Sequence, residues 1–167
     1  MKKTITILTF CLFTFSTLFA QNDVVFSATD NWTAFMNVTD LPADGGAYQF
    51  GSPWEVAAVK STLDATANTL VLQPNFSTYA ENTTDEFWVD QTTMEGNKNM
   101  EGLTFVEPGA AFNGVDLTFS GSIDSYTLSD DYTVTYFIKA LDPANGFADA
   151  LGGAKVFDLT AAGSFSV

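Results

Sequence analysis

The side chains best suited to ligand chemistry gather in one polar stretch, Asn75 to Glu101, which is rich in Asn and Thr. It carries Tyr79, Trp88, Asn97, Lys98 and Glu101. A connection of that length without strong regular structure is uncommon unless it is functional or mobile. Sugar recognition needs a flat aromatic face for C–H contacts, with amide, carboxylate and ammonium groups to bond the hydroxyls. Trp88 or Tyr79 with Asn97, Lys98 and Glu101 meets that need. The competing reading makes the stretch a structural loop, with Trp88 a core plug between Phe87 and Val89. Trp54 is a further candidate platform, although buried packing is the more ordinary role for it and for Trp32.

What the chain lacks narrows the chemistry further. It has no histidine and no arginine, and its one cysteine, Cys11, falls in the first twenty residues. The usual general base near neutral pH, the bidentate anion clamp and the thiolate nucleophile are therefore missing from residues 21–167. Paired carboxylates could in principle cleave glycosides. Glu101 with Glu107, or Asp85 with Glu86, can be named, but nothing around them sets them apart from the other acids. A non-catalytic chain is expected. Calcium is the metal this donor set admits, since it takes carboxylates and backbone carbonyls from loops. Asp40 and Asp44 flank a turn and are a candidate pair; Asp130 with Asp131, and Asp23 with Asp158 if the terminal strands pair, are others. None has EF-hand spacing.

Met1-Lys2-Lys3 supplies a positive start, Ile5 to Phe19 is an apolar run broken by Thr and Ser, and Ala20 precedes the polar Gln21-Asn22-Asp23. That layout predicts a secretory signal peptide over 1–20, cleaved after Ala20, too short and too Thr/Ser-rich for a membrane anchor. Leu8-Thr9-Phe10 before Cys11 does not fit a lipoprotein site. The expected location is the periplasm, the cell surface or the medium, with residues 21–167 as one domain and no membrane insertion. Over those residues four lysines (Lys60, Lys98, Lys139, Lys155) face 20 carboxylates, leaving −16. Nothing is available to neutralise phosphates, so nucleic acid is not a partner. Neutral polymers, cations and cationic surfaces remain.

The elements that must position these groups read as strands. Val115 to Ile123 alternates apolar and polar residues with period two, so one face meets a core. Tyr132 to Leu141 is a second long strand rich in β-branched and aromatic residues. Ser129-Asp130-Asp131 between them predicts antiparallel neighbours. Shorter strands are expected at Val24–Phe26, Trp32–Val38, Ala47–Phe50, Thr69–Gln73, Glu86–Val89, Leu103–Val106, Lys155–Leu159 and Ser164–Val167. Turns are expected at Ala43 to Gly46, Asn113-Gly114, Asn145-Gly146 and Gly152-Gly153. Ser52-Pro53-Trp54-Glu55 looks like a capped helix start, and Val56, Val59 and Leu63 recur at helical spacing. One short helix over 53–63 is the expectation, with a strand through Trp54-Val56 as competitor. Many short strands without a βαβ rhythm predict an all-β fold, an antiparallel β-sandwich of jelly-roll type.

Leu117-Thr-Phe-Ser-Gly-Ser-Ile followed by Tyr132-Thr-Val-Thr-Tyr-Phe-Ile-Lys resembles paired strands of jelly-roll carbohydrate-binding modules. Leu70 to Tyr79, Phe87-Trp-Val89 and Gly96 to Glu101 are similar to a domain of secreted, polysaccharide-associated proteins of Gram-negative marine bacteria. These segments fall between residues 70 and 139, a span of about half of residues 21–167. The resemblance implies a non-catalytic glycan-binding or accessory role, with a polysaccharide or oligosaccharide as partner. The alternative, from a different class, is a structural or adhesive surface protein whose acidic face binds cations or protein partners.

Overall fold

A computed structural model describes residues 22–167, with side chains from Val24 onward, so the expected signal segment lies outside the described residues. The described chain is all-β. Its strands are β1 (Asn22–Asp23), β2 (Trp32–Asp40), β3 (Tyr48–Trp54), β4 (Ser61–Asp64), β5 (Thr69–Leu72), β6 (Lys98–Val106), β7 (Leu117–Thr118), β8 (Ser120–Ile123), β9 (Val134–Ile138), β10 (Leu141–Asp142), β11 (Ala148–Asp149), β12 (Lys155–Leu159) and β13 (Gly163–Ser166). One short helix, α1 (Ser77–Glu81), interrupts them. The largest sheet is antiparallel, in the order β3-β2-β6. The pairs β4-β5, β8-β13, β9-β12 and β10-β11 are antiparallel and β1-β7 is parallel. No helix among the described residues is long and apolar enough to cross a membrane.

Strand β2 organises the molecule because its sequence, WTAFMNVTD, separates two faces cleanly. Ala34, Met36 and Val38 are buried, and they alternate with Thr33, Phe35, Asn37 and Thr39. Period-two alternation sends the second set to the opposite face of the sheet. Met36 and Val38 are fully buried and pack with Val59, while Trp54, Val56, Trp88 and Met100 close around them. Register keeps the faces consistent across the sheet: Val38 sits opposite Phe50 and Met100, and Asn37 opposite Gly51 and Glu101.

The helix expected over 53–63 is replaced by the end of a strand and a single turn. Pro53 and Trp54 stay in β3, where Pro53 lies opposite Phe35 and Trp54 opposite Ala34. An edge strand tolerates the missing N–H of proline. Beyond it the chain makes one helical turn, with the Val59 N–H bonded to the Glu55 carbonyl (3.2 Å) and the Ser61 N–H to Val56 (3.1 Å). Lys60, at φ 66°, takes the left-handed conformation that ends such a turn. The apolar spacing serves this one turn, which drops Val59 onto the sheet. Leu63, the last residue of the supposed helical stripe, instead belongs to β4.

In the second half, the expected hairpin between 115–123 and 132–141 is not formed. The first segment breaks into β7 and β8, the second into β9 and β10, and β8 pairs with β13 while β9 pairs with β12. The two ladders meet through aromatic rings rather than backbone. Tyr136 stacks on Phe165 (4.7 Å between centroids, 26°) and on Phe157 (4.8 Å, 16°), and Phe119 lies 5.4 Å from Tyr136. Gly121 is the floor beneath Phe165: a Cβ there would come within 2.7 Å of the ring. Lys155–Leu159 forms with the expected bounds, and β6 begins five residues before the expected Leu103. The segment 86–89 contributes only a bridge from Val89 to Gly96, and Val24–Phe26 lies just past β1.

Candidate functional site

One face of the β3-β2-β6 sheet is covered by the 55–61 turn and by Trp88; the other carries a depression of about 260 Å³. Asn37, Thr39, Asn99, Met100, Glu101 and Thr133 line it. Asn37 and Thr39 come from β2, and their cross-strand partners Glu101 and Asn99 from β6. The Asn37 side-chain amide donates to a Glu101 carboxylate oxygen at 2.8 Å. That bond uses one of two amide N–H groups and one of two carboxylate oxygens, so both side chains keep capacity for a further partner.

Tyr48 completes this face because of a backbone irregularity. Residues two apart on a strand normally point the same way. A register shift between Val38 and Thr39 leaves Gln49 unpaired, so Phe50 lies opposite Val38 on the core side while Tyr48 lies opposite Thr39 on the outer side. A bulge of this kind re-aims a side chain. Tyr48 is 64 % exposed. Gly51 makes room for it: a Cβ at that position would stand 2.6 Å from Phe35 Cε1, 2.7 Å from Tyr48 Oη and 2.8 Å from Asn37 Oδ1. Three side chains thus converge over bare backbone, placing two rings beside an amide–carboxylate pair.

The stretch expected to hold the site is mostly tied down in structure. It contains α1, and β6 begins within it at Lys98. Tyr79, on α1 and 41 % exposed, donates its hydroxyl to the Met94 carbonyl at 2.6 Å. Trp88 is half-buried against the sheet, edge-on to Phe87 at 4.8 Å. The Asn97 side chain donates to the Glu86 carbonyl (2.8 Å) and its backbone N–H to Trp88 (2.9 Å). Lys98 pairs with Asp40 at 3.0 Å and lies 4.6 Å from the centre of the Phe87 ring. The structure therefore brings Trp88, Asn97 and Lys98 together around Phe87. Tyr79 stands apart on α1, and Trp54, its indole N–H donating to Ser52 Oγ (2.9 Å), packs against the core. Glu101 alone of the set reaches the outer face of the sheet.

Asp40, the first candidate calcium ligand, has both oxygens engaged, one by Lys98 and the other by the Gln49 amide at 2.7 Å. Asp44 sits in a separate single turn, Pro42–Asp44, and is exposed. Among the described residues no group of three or more acidic side chains is placed to hold a metal ion. Two other aspartates serve turns. Asp90 accepts the N–H groups of Thr93 (2.8 Å) and Thr92 (2.7 Å), and Asp64 those of Ala67 (3.0 Å) and Thr66 (2.8 Å). These bonds favour the ionised form and hold both carboxyls below the usual aspartate value.

Tyr48, Phe35, Asn37, Thr39 and Asn99 escaped the sequence reading. The alternation through 32–40 was the available signal for the β2 residues. The bulge that turns Tyr48 outward left no comparable mark. A scan against protein-family models, a search of curated proteins and a search of solved structures each found no match to this chain.

Proposed function

We propose that this protein binds an uncharged polysaccharide without transforming it, using the outer face of the β3-β2-β6 sheet. The observation that carries the reading is the convergence of Tyr48, Phe35 and Asn37 over Gly51, next to the Asn37–Glu101 bond. Ring faces supply C–H contacts to a sugar, and amide, carboxylate and hydroxyl groups supply directed bonds to its hydroxyls. Recognition rather than turnover fits residues 21–167, which lack His, Arg and Cys. A net charge of −16 over the same residues disfavours sulfated and uronic-acid polymers. The pattern of Lys2, Lys3, the apolar run and Ala20 supports export, with cleavage after Ala20.

Affinity electrophoresis through gels containing neutral polysaccharides tests this reading. Retardation should appear with at least one polymer and should be lost or strongly reduced in Tyr48→Ala. Unaltered retardation of a folded Tyr48→Ala protein would remove the sheet face from the site. Turnover of the polymer would refute the non-catalytic part.

A further inference from the structure

The outer face ends at β3, which is an edge strand, and the bulge there makes three consecutive residues bridge both sides of the sheet. Tyr48 belongs to the outer face, Gln49 to the edge, and Phe50 to the core side. On the core side Phe50 does not disappear into packing. It is 38 % exposed, and Phe87, 6.1 Å away and tilted by 33°, is 36 % exposed. Trp88 meets both rings edge-on, at 6.1 Å and 81° to Phe50 and 4.8 Å and 88° to Phe87. Trp88 packs against the core cluster and Val89 beside it is fully buried, while both phenylalanines keep over a third of their surface open.

Polar groups at the strand ends frame this shelf: Lys98 begins β6, Asp40 ends β2 and Gln49 lies in β3. Lys98 lies over Phe87 and pairs with Asp40, and Asp40 in turn takes the Gln49 amide. The ion pair cancels the lysine's charge, so the shelf offers N–H donors and acceptors without a binding site for an anion. An exposed ring pair beside a neutralised donor–acceptor network matches the requirement met on the outer face. The edge residue Gln49 joins the two.

Resting on the reading above, we propose that the glycan site continues around the β3 edge, from Tyr48 to the Phe50–Phe87 shelf. The ligand is then a chain of several uncharged sugar rings held on both sides of one strand. Short oligomers reach one side only; longer ones reach both.

Calorimetric titration with mono-, tri- and hexasaccharides of glucose, mannose and xylose tests the continuation. In the wild-type protein, affinity should rise steeply between tri- and hexasaccharide. Phe87→Ala should lower hexasaccharide affinity by about 2- to 12-fold, the range for loss of one ring contact, and leave the trisaccharide unchanged. Tyr48→Ala should weaken both lengths. Phe87→Leu keeps apolar bulk without a ring and should behave like Phe87→Ala, which separates lost stacking from lost folding. Equal losses for both lengths, or none, in a folded Phe87→Leu protein would overturn the continuation while leaving the outer face intact. Tighter binding of a sulfated or uronic-acid hexasaccharide would overturn the uncharged class. Absence of binding to all of these sugars and to neutral polymers would overturn the glycan reading and the continuation with it.

Discussion

Gly51→Ala isolates the outer face from the rest of the molecule. The new methyl would sit 2.6–2.8 Å from Phe35 Cε1, Tyr48 Oη and Asn37 Oδ1. Non-bonded carbons prefer about 3.5–4.0 Å, so the Phe35 ring must withdraw by about 1 Å. All three obstacles are ends of side chains, so they rotate rather than force the strand apart. Moving them off their rotamers costs about 1–3 kcal/mol in total, offset by about 0.4–1 kcal/mol from the stiffer unfolded chain. Stability should fall modestly. Binding should fall further, because one ring contact and one hydrogen bond lose their geometry, together about 1–3 kcal/mol or roughly 5- to 150-fold in Kd. Gly102→Ala is the matched control on the core face of the same sheet. Its Cβ would meet Val59 Cβ at 3.5 Å and Met36 Cε at 3.6 Å, which is ordinary contact. That variant should keep wild-type affinity and melt no lower. Calorimetry on both variants with a bound neutral oligosaccharide reads the difference. Wild-type affinity in Gly51→Ala would refute the reasoning.

Met36→Ala removes a fully buried side chain from the centre of β2 and should cost about 2–5 kcal/mol in urea unfolding, the largest loss among these variants. Lys98→Met leaves Asp40 with only the Gln49 amide; the pair is partly exposed, so about 1–2 kcal/mol should be lost in the same assay, and less at high salt. Asp90 and Asp64 are bonded in their ionised forms. Their stabilisation should be complete above about pH 4, the unfolded aspartate value, and disappear as pH falls through their lower folded values. An NMR titration of both carboxyl carbons checks this by finding midpoints below about 3.9.

Alternation located strands without fixing their continuity: Val115 to Ile123 alternates throughout yet divides into β7 and β8. Trp32 to Asp40 advertises its two faces, and Lys155 to Leu159 declares its length by its β-branched and aromatic content. Pairing was less legible, because partners far apart in sequence compete with the nearest turn. Ser129-Asp130-Asp131 pointed to a local hairpin, yet stacking of Tyr136 on Phe157 and Phe165 accompanies a pairing of each segment with a C-terminal strand. The helical spacing of Val56 and Val59 was real but lasted one turn, and too short a helix gains little from its own hydrogen bonds. For the site, residue chemistry singled out Glu101 as part of a polar connection; it lies on the outer face of the sheet beside Asn37, a neighbour the sequence did not point to. Tyr48 and Phe50 look alike in sequence. Only the unpaired Gln49 sends them to opposite sides.

Chemical-shift mapping of the isotope-labelled 21–167 protein against a neutral hexasaccharide locates the sugar contact residue by residue. The largest shifts should fall at Asn37, Tyr48, Gly51, Asn99 and Glu101, continuing through Gln49 and Phe50. Saturable shifts confined to the second half of the chain, around Phe119, Tyr136 and Phe165, would contradict the proposed site.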